Sequence, residues 1–256
     1  MATIFGNKHD EQFEAKRAVA EWVWENVIRS DRNPRLIIDA GSSAQAVAEV
    51  IADHVGDGGD EADFAWMTVL THNLGAWEVL SPQRHGLDLF LVDGRYDSRL
   101  NANIPQGTLD ETLGDFNPSV VVVAASGLDA DGLYCSAVQD ERPVKAALTA
   151  RKTATRVIVA DHTKIGLTDV RRFASLEELK NDARRTLIVT DEVNVKKLSD
   201  GQAAEYQTAL NRFRHALGKN NVILVSTKGV EKKQPESQPQ RVATVDEALP
   251  QQREAM

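Results

Sequence analysis

The residues best suited to bind a small ligand form a turn between an apolar segment and a predicted helix. An apolar strand predicted for residues 36–39 ends at Asp39 and turns through Gly41. Ser42 and Ser43 are the first residues of the helix that follows. The first backbone N–H groups of a helix lack partners within it and carry the positive end of the helix dipole, which suits a phosphate or a carboxylate. The alternative is an ordinary strand-to-helix turn with a serine cap.

Polar or glycine residues also follow four other predicted strands. The five strand ends are Asp39-Ala40-Gly41-Ser42-Ser43, Thr71-His72-Asn73, Asp93-Gly94, Ser126-Gly127-Leu128-Asp129 and Asp161-His162-Thr163-Lys164. In an open parallel sheet the ligand sits beyond the carboxyl ends of the strands, where such loops converge. We therefore expect the five ends to line one polar pocket, although the same residue types are also typical of solvated turns.

The elements that must position these loops are strands that alternate with helices. Residues 9–29 form an amphipathic helix ahead of the first strand. The most apolar segment, residues 119–125, is typical of a parallel strand covered on both faces. This alternation predicts an α/β fold with a mainly parallel sheet between two layers of helices.

Three further segments have distinct predictions. Residues 101–106 are expected to be irregular, and residues 126–132 form a loop too polar and glycine-rich to be buried. From about Glu231 the chain is rich in Gln, Glu, Pro and Lys, so it cannot bury enough apolar surface to offset the entropy of ordering. We expect an α/β domain over residues 1–229 and a disordered tail over 230–256, which could also bind a partner.

Composition argues against one class of function, nucleic-acid binding. The chain has 256 residues, of which 42% are hydrophobic and 27% charged, as expected for a soluble globular protein with a substantial core. Its formal net charge of −8 gives no general attraction to nucleic acid. Direct DNA binding is therefore not expected.

Cysteine usage indicates a reducing compartment, and hydropathy indicates a soluble chain. Cys135 is the single cysteine, so no internal disulfide forms, and it has no basic neighbour to activate its thiol. No Cys/His cluster has metal-binding spacing, and we expect neither a metal nor a cofactor. No apolar run approaches the roughly 18 residues needed to span a bilayer. These features predict a soluble cytoplasmic protein.

The order and spacing of the strand-end motifs resemble the C-terminal sensor domain of DeoR-type transcriptional repressors. The matching series is Ile38-Asp39-Ala40-Gly41-Ser42-Ser43, Val69-Leu70-Thr71-His72-Asn73-Leu74, Ser126-Gly127-Leu128-Asp129-Ala130-Asp131-Gly132 with Glu141 and Lys145, Ala160-Asp161-His162-Thr163-Lys164-Ile165-Gly166, and Ile188-Val189-Thr190-Asp191. The series covers roughly residues 14–226. The resemblance implies a fold similar to ribose-5-phosphate isomerase, glucosamine-6-phosphate deaminase and CoA transferases, and a phosphorylated sugar or a related metabolite as the ligand.

The resemblance also implies roles for individual residues. Gly41, Ser42 and Ser43 match the phosphate-binding turn, and Lys164 matches the lysine of a strand-end loop. The full set of implied or strand-end ligand contacts is Asp39, Gly41, Ser42, Ser43, Thr71, His72, Asp93, Gly94, Gly127, Asp129, Glu141, Lys145 and Lys164. A solvated loop lysine remains the alternative for Lys164.

Three of these contacts have ordinary explanations that stay open. Glu141 and Lys145 are four residues apart on one predicted helix, so they could face the ligand or form a surface ion pair. His72 could act as an acid or base, bond the ligand or only pack in the structure.

The sequence departs from the sensor pattern at several points. His72 stands where the family usually has asparagine, Asp93 precedes Gly94 where the family has two glycines, and residues 101–106 lack the usual glycine-containing loop. A winged helix-turn-helix normally precedes the sensor. Here a single helix precedes Leu36, so we expect no DNA-reading part.

Two functions from different classes remain. The first is a stand-alone sensor that binds a phosphorylated sugar and reports through a partner protein or through homo-oligomerisation, which the resemblance implies. The second is a sugar-phosphate isomerase or deaminase in which a carboxylate moves a proton between adjacent carbons. Asp129, Glu141 and His72 are the catalytic candidates of this second hypothesis.

Overall fold

The computed structural model describes residues 12–56, 67–82, 87–107, 111, 113, 116–136, 138 and 140–228. Its strands, in chain order, are β1 (Arg35–Ile38), β2 (Met67–Thr71), β3 (Leu87–Leu91), β4 (Arg95–Asp97), β5 (Ala102–Ile104), β6 (Val120–Ala124), β7 (Gly127–Asp129), β8 (Gly132–Cys135), β9 (Thr155–Val159), β10 (Arg171–Ser175), β11 (Thr186–Asp191) and β12 (Val222–Val225). The helices are α1 (Phe13–Val23), α2 (Ser42–Gly56), α3 (Leu74–Leu80), α4 (Glu141–Thr149), α5 (Leu176–Lys180) and α6 (Asp200–Leu217).

Seven strands form one parallel sheet in the order β12-β11-β9-β6-β1-β2-β3. The chain moves outward from β1 to β2 and β3 on one side, and from β6 to β9, β11 and β12 on the other. The direction of winding therefore reverses between β1 and β6, which pair with Ile38 opposite Val122. In doubly wound sheets a ligand binds beyond the carboxyl ends of the strands at this reversal.

Helices cover both faces of the sheet. On one face α1, α2 and α3 bury an apolar cluster that includes Trp24, Ile51 and Leu80. On the other face α4 and α6 bury a second cluster that includes Leu148 and Phe213. All five residues of β6 are buried, because both layers cover this central strand. The predicted three-layer α/β fold with a mainly parallel sheet is confirmed.

Two predictions about loops were wrong. Residues 126–132 were expected to be an exposed loop, but they belong to an antiparallel hairpin of β7 and β8, which continues to β10, and Leu128 is fully buried. Gly132 makes this hairpin possible. Its φ of 155° lies in a region that side chains rarely adopt, and a Cβ there would lie 2.2 Å from the carbonyl oxygen of Ala174. Residues 101–106 were expected to be irregular, but they contain β5, which pairs with β4.

Other boundaries shift by a few residues or lie outside the described part. The first helix begins at Phe13 rather than near His9, and a π-helical turn over Trp24–Ile28 extends it. The predicted tail, 230–256, lies outside the described residues, so the boundary at 229 stays a prediction. Within the described ranges, no helix combines the length and the apolar character needed to cross a membrane.

Candidate ligand-binding site

A cavity of about 390 Å³ lies where the winding of the sheet reverses. Loops after β1, β6 and β9 line it, together with residues of α1, α4 and the segment after β4. Six of the predicted site residues line this cavity: Gly41, Ser42, Ser43, Glu141, Lys145 and Lys164. Ser126 and Asp161, from two of the five strand ends, line it as well. Three strand ends that are far apart in the sequence therefore meet in one place.

The turn between β1 and α2 presents backbone N–H groups to this cavity. Gly41 has a φ of 125°, and a Cβ at this position would come within 2.8 Å of the Cβ of Ala124, so the turn passes close to β6. The first N–H bonded within α2 is that of Gln45, which donates to the carbonyl of Gly41 at 2.9 Å. The amides of Ser42, Ser43 and Ala44 precede it and have no acceptor within the helix. This end of α2 can bind an anion.

A buried ion pair lies directly below the turn. The ammonium group of Lys145 donates to a carboxylate oxygen of Asp39, to the carbonyl of Ala40 at 3.1 Å and to the carbonyl of Ala124 at 2.7 Å. The side chain of Lys145 is 2% exposed and that of Asp39 is fully buried. Because these acceptors follow β1 and end β6, Lys145 ties together the two strands that border the cavity.

Both members of this pair are charged. Burial alone would raise the pKa of Asp39, but the nearby Lys145 ammonium and the contact with His72 outweigh it and hold that pKa below the ordinary value. Burial alone would lower the pKa of Lys145, but the charges of Asp39 and Glu141 outweigh it and raise that pKa. Lys145 is therefore a protonated structural cation rather than a free amine.

Thr71 and His72 lie behind the turn and do not line the cavity. His72 is 4% exposed; its Nδ1 donates to the carbonyl of Asn103 at 3.1 Å, because a carbonyl can only accept. Its Nε2 lies 3.0 Å from Oδ1 of Asp39 and 2.9 Å from the amide nitrogen of Ala40. The hydroxyl of Thr71 donates to the carbonyl of Ile38 at 2.8 Å. Both side chains support the turn between β1 and α2.

Three basic side chains line the cavity besides Lys145. Lys164 lies at the end of the short 3-10 turn His162–Lys164, which follows β9. Lys16 comes from α1 and is 5% exposed. Arg99 follows β4 and binds Asp97 with two hydrogen bonds, of 3.0 Å from Nε and 2.6 Å from Nη2. These cations and the amides of α2 provide a positive environment for an anionic ligand.

Carboxylates and hydroxyls form another part of the wall. The hydroxyl of Ser136 donates to Oε2 of Glu141 at 2.6 Å, and Oε1 of Glu141 lies 3.5 Å from the ammonium of Lys145. Asp161 and Ser126 also line the cavity. Side chains of this kind accept and donate the hydrogen bonds that sugar hydroxyls make.

The structure places four predicted contacts away from this cavity. Asp93 and Gly94 line a separate groove beside Phe90 of the edge strand β3. Gly127 is buried under the carbonyl of Leu167, and Asp129 closes the β7–β8 turn. Oδ1 of Asp129 accepts from the amides of Asp131 and Gly132, at 2.8 and 3.2 Å. Local backbone contacts thus explain Gly127 and Asp129 without a ligand.

Cys135 is buried at the end of β8, and burial, the largest cause, raises the pKa of its thiol to about 12. A thiol with this pKa is protonated at neutral pH and unreactive. Among the described residues, no three His, Cys, Asp or Glu side chains come together in a way that could hold a metal ion.

Sequence reasoning missed Lys16 and Arg99 as cavity residues. A signal for Lys16 was available, because it falls in the apolar stripe of α1 that continues through Ala20, Val23 and Val27. A lysine in such a stripe is buried only when something satisfies its charge. No comparable signal marks Arg99, which reaches the cavity through the β4–β5 ribbon that the sequence did not predict.

The loop that carries Lys164 depends on a histidine–aspartate pair. Nδ1 of His162 lies 2.6 Å from Oδ2 of Asp191, and the amide of His162 donates to Oδ1 of Asp191 at 2.6 Å. The hydrogen bond to Asp191 is the largest cause that raises the pKa of His162. Protonated His162 therefore stabilises the folded state, fully below the ordinary histidine pKa of about 6.5 and progressively less as the pH rises through the raised pKa.

We expect His162→Gln to lower the free energy of unfolding by about 1 kcal/mol at acidic pH, since the pair is partly exposed and screened. The difference from wild type should shrink as the pH rises above about 6.5 and through the raised pKa. Urea unfolding at a series of pH values measures it. A loss that grows with pH would contradict the assignment.

The fold defines an α/β protein with a polar cavity at the winding reversal of a parallel sheet. The chain belongs to the family of the DeoR C-terminal sensor domain, whose model matches residues 11–192. A curated relative is the HTH-type transcriptional repressor GlcR of Bacillus subtilis, 22% identical over 157 residues, which are 61% of this chain. The chain spans about half the length of that relative, since the match covers 53% of it.

Solved structures with a similar backbone are more distant. Ribose 5-phosphate isomerase A from Methanocaldococcus jannaschii is 12% identical, with a TM-score of 0.39 over 58% of this chain and 52% of that chain. The eIF2B beta structure from Chaetomium thermophilum is 10% identical, with a TM-score of 0.40 over 63% of this chain and 42% of that chain.

Proposed function

We propose that this domain is a sensor that binds a phosphorylated sugar in the cavity between β1 and β6. One observation carries the proposal: the free amides at the start of α2 and three basic side chains face the same cavity as a wall of carboxylates and hydroxyls. The phosphate binds at the amides of Ser42 and Ser43, with Lys164 and Arg99 nearby. The sugar hydroxyls then face Glu141 and its neighbours.

The cavity has the size and the charge pattern that this ligand needs. A volume of about 390 Å³ lies within the usual range for small-molecule sites, roughly 300–1,000 Å³. Membership of the sensor family and the match to a repressor support a regulatory role rather than a metabolic one. The regulatory output is part of the proposal, and it requires either a further domain or a protein partner, including another copy of this chain.

The side chains favour binding over catalysis. Asp129 and His72, two of the catalytic candidates, have their polar atoms engaged by the protein and do not line the cavity. Glu141 does line it, but its carboxylate accepts from Ser136 and lies near the protonated Lys145. Both oxygens of this carboxylate therefore already have partners in the protein.

A thermal-shift screen tests the proposal. The panel contains inorganic phosphate, pentose phosphates, hexose phosphates and the corresponding unphosphorylated sugars. We expect at least one sugar phosphate to stabilise the protein, by about 2.7 kcal/mol at a hundredfold excess over its Kd, and its unphosphorylated form to have no effect. Stabilisation by none of the phosphorylated compounds would overturn the proposal.

NMR of the stabilising sugar phosphate separates a sensor from an enzyme. We expect the compound to remain unchanged during prolonged incubation with the protein. Conversion that Glu141→Gln abolishes would instead establish an isomerase or deaminase with Glu141 as the base.

A further inference from the structure

One wall of the cavity spends its hydrogen-bond donors on the protein itself. We call it the acceptor wall, and its side chains are those of Ser126, Ser136, Glu141, Lys145 and Asp161. An ammonium group has three N–H donors and no acceptor. The three donors of Lys145 all go to protein oxygens, namely a carboxylate oxygen of Asp39 and two backbone carbonyls. Lys145 therefore lines the cavity without a donor left for a ligand.

Both serine hydroxyls of the acceptor wall commit their proton to the protein. A hydroxyl has one proton to donate and two lone pairs that accept. Oγ of Ser136 donates to Oε2 of Glu141 at 2.6 Å. Oγ of Ser126 lies 2.5 Å from Oδ2 of Asp169 and 3.2 Å from the carbonyl of Tyr134, and both neighbours accept its single proton. Each serine is therefore left to accept a hydrogen bond from a ligand, not to donate one.

Two carboxylates complete the acceptor wall. β6 and β9 pair in parallel with Ala124 opposite Val159. Ser126 and Asp161 each come two residues later, at the same edge of the sheet, and Asp161 is 1% exposed. An ionised carboxylate only accepts hydrogen bonds, and it has about four lone-pair sites. Each oxygen of Glu141 has one partner in the protein, so this carboxylate can still accept from a ligand.

The free backbone donors come from another element, the start of α2. This helix packs on one face of the sheet, whereas α4, which carries Glu141 and Lys145, packs on the other. The cavity between them therefore has donors from α2 and acceptors from the α4 side. A ligand with its phosphate at the amides of Ser42 and Ser43 directs its remaining groups to the acceptor wall.

We propose that the acceptor wall selects a phosphorylated sugar or polyol whose remaining groups are hydroxyls, and that it rejects a phosphorylated sugar acid. This inference rests on the proposed function and names the class of its ligand. Each sugar hydroxyl can donate a hydrogen bond to an oxygen of the wall. A ligand carboxylate in the same place meets two carboxylates and two serine oxygens whose protons are taken, so it loses its hydration without gaining a donor.

Isothermal titration calorimetry of the full chain with two matched sets of compounds tests the inference. One set is glucose 6-phosphate, glucitol 6-phosphate and gluconate 6-phosphate, and the other is ribose 5-phosphate, ribitol 5-phosphate and ribonate 5-phosphate. Within a set, the alditol and the acid are both open chains that differ only at the end remote from the phosphate. In at least one set, we expect the alditol phosphate to bind at least about 30-fold more tightly than the acid, because like charges repel at short range.

A charge-neutral variant tests the part played by Glu141. Glu141→Gln removes a negative charge and adds an amide that can donate to a carboxylate, so it should narrow the preference for the alditol by at least about tenfold. Glu177→Gln makes the same change at a residue of α5 that is 73% exposed and outside the cavity, and it should leave the preference unchanged. Circular dichroism confirms that each variant is folded.

Ser126→Ala keeps the test decisive if Glu141→Gln does not fold. It removes one acceptor from the wall and changes no charge. We expect it to weaken binding of the alditol phosphate severalfold, the usual effect of losing one hydrogen bond, and to leave the affinity for the acid unchanged.

The outcomes separate the inference from the proposed function. If no compound of either set binds the wild type, both fail. If sugar phosphates bind but the alditol phosphate exceeds the acid by less than about 30-fold in both sets, the proposed function stands and the inference is overturned. A preference that neither Glu141→Gln nor Ser126→Ala narrows would also refute the role of the acceptor wall.

Discussion

Replacing Lys145 by methionine is expected to lower the free energy of unfolding by about 3–5 kcal/mol, the usual cost of removing one partner from a buried ion pair. Methionine preserves much of the volume of the side chain but leaves the Asp39 carboxylate charged and fully buried. It also removes the donor to the carbonyls of Ala40 and Ala124. Urea unfolding followed by circular dichroism measures the loss.

Further variants identify the cause of this loss. Lys164→Met removes a lysine that lacks such buried acceptors, so its effect should stay within about 0.5 kcal/mol. Adding Asp39→Asn to Lys145→Met removes the uncompensated charge and should restore part of the stability, so the two substitutions should not be additive. A loss below about 1 kcal/mol in Lys145→Met would show that the pair does not hold β1 and β6 together.

Ser42→Glu is expected to reduce the affinity for the sugar phosphate found in the thermal-shift screen by at least about 100-fold. The new carboxylate lies at the first residue of α2, where it occupies the anion site and repels phosphate. At a separation near 4 Å, two like charges at a protein surface repel by about 4 kcal/mol. Isothermal titration calorimetry measures the loss of affinity.

Ser42→Glu should not lower the stability of the folded protein, although it lowers the affinity for the ligand. An acidic residue in the first turn of a helix interacts favourably with the helix dipole, by about 0.3–1 kcal/mol. Ser42→Glu should therefore be as stable as the wild type without ligand, or slightly more stable. Ser42→Ala keeps the backbone amides and loses only a hydroxyl, so its affinity should fall by no more than about tenfold. Unchanged affinity in Ser42→Glu would show that the phosphate does not bind at the start of α2.

The turn that begins the candidate ligand site was predictable because its signal is local. An apolar run, a glycine and two serines within eight residues specify a buried strand, a turn and a helix start. The valine run of β6 likewise indicated a strand covered on both faces. Lys164 and Glu141 were found through the motif series, and both line the cavity.

The partners of these residues were not predictable, because they come from distant parts of the chain. Glu141 and Lys145, four residues apart, suggested a surface ion pair or a ligand contact. Both line the cavity, and their ion pair is buried rather than on the surface. Lys145 also binds Asp39, 106 positions away. Asp129 was considered as a catalytic base, but its carboxylate accepts amides of the hairpin that the sequence did not predict.

The sequence by itself determined the parallel α/β architecture and the position of the turn between β1 and α2, since hydrophobic periodicity and helix-start signals act over a few residues. Only the tertiary structure decided which strand ends share a cavity. The winding reversal between β1 and β6 brings the ends of β1, β6 and β9 together, whereas Asp93, at the edge of the sheet, faces a separate groove. Strand order depends on contacts between distant segments, and no local pattern encodes it.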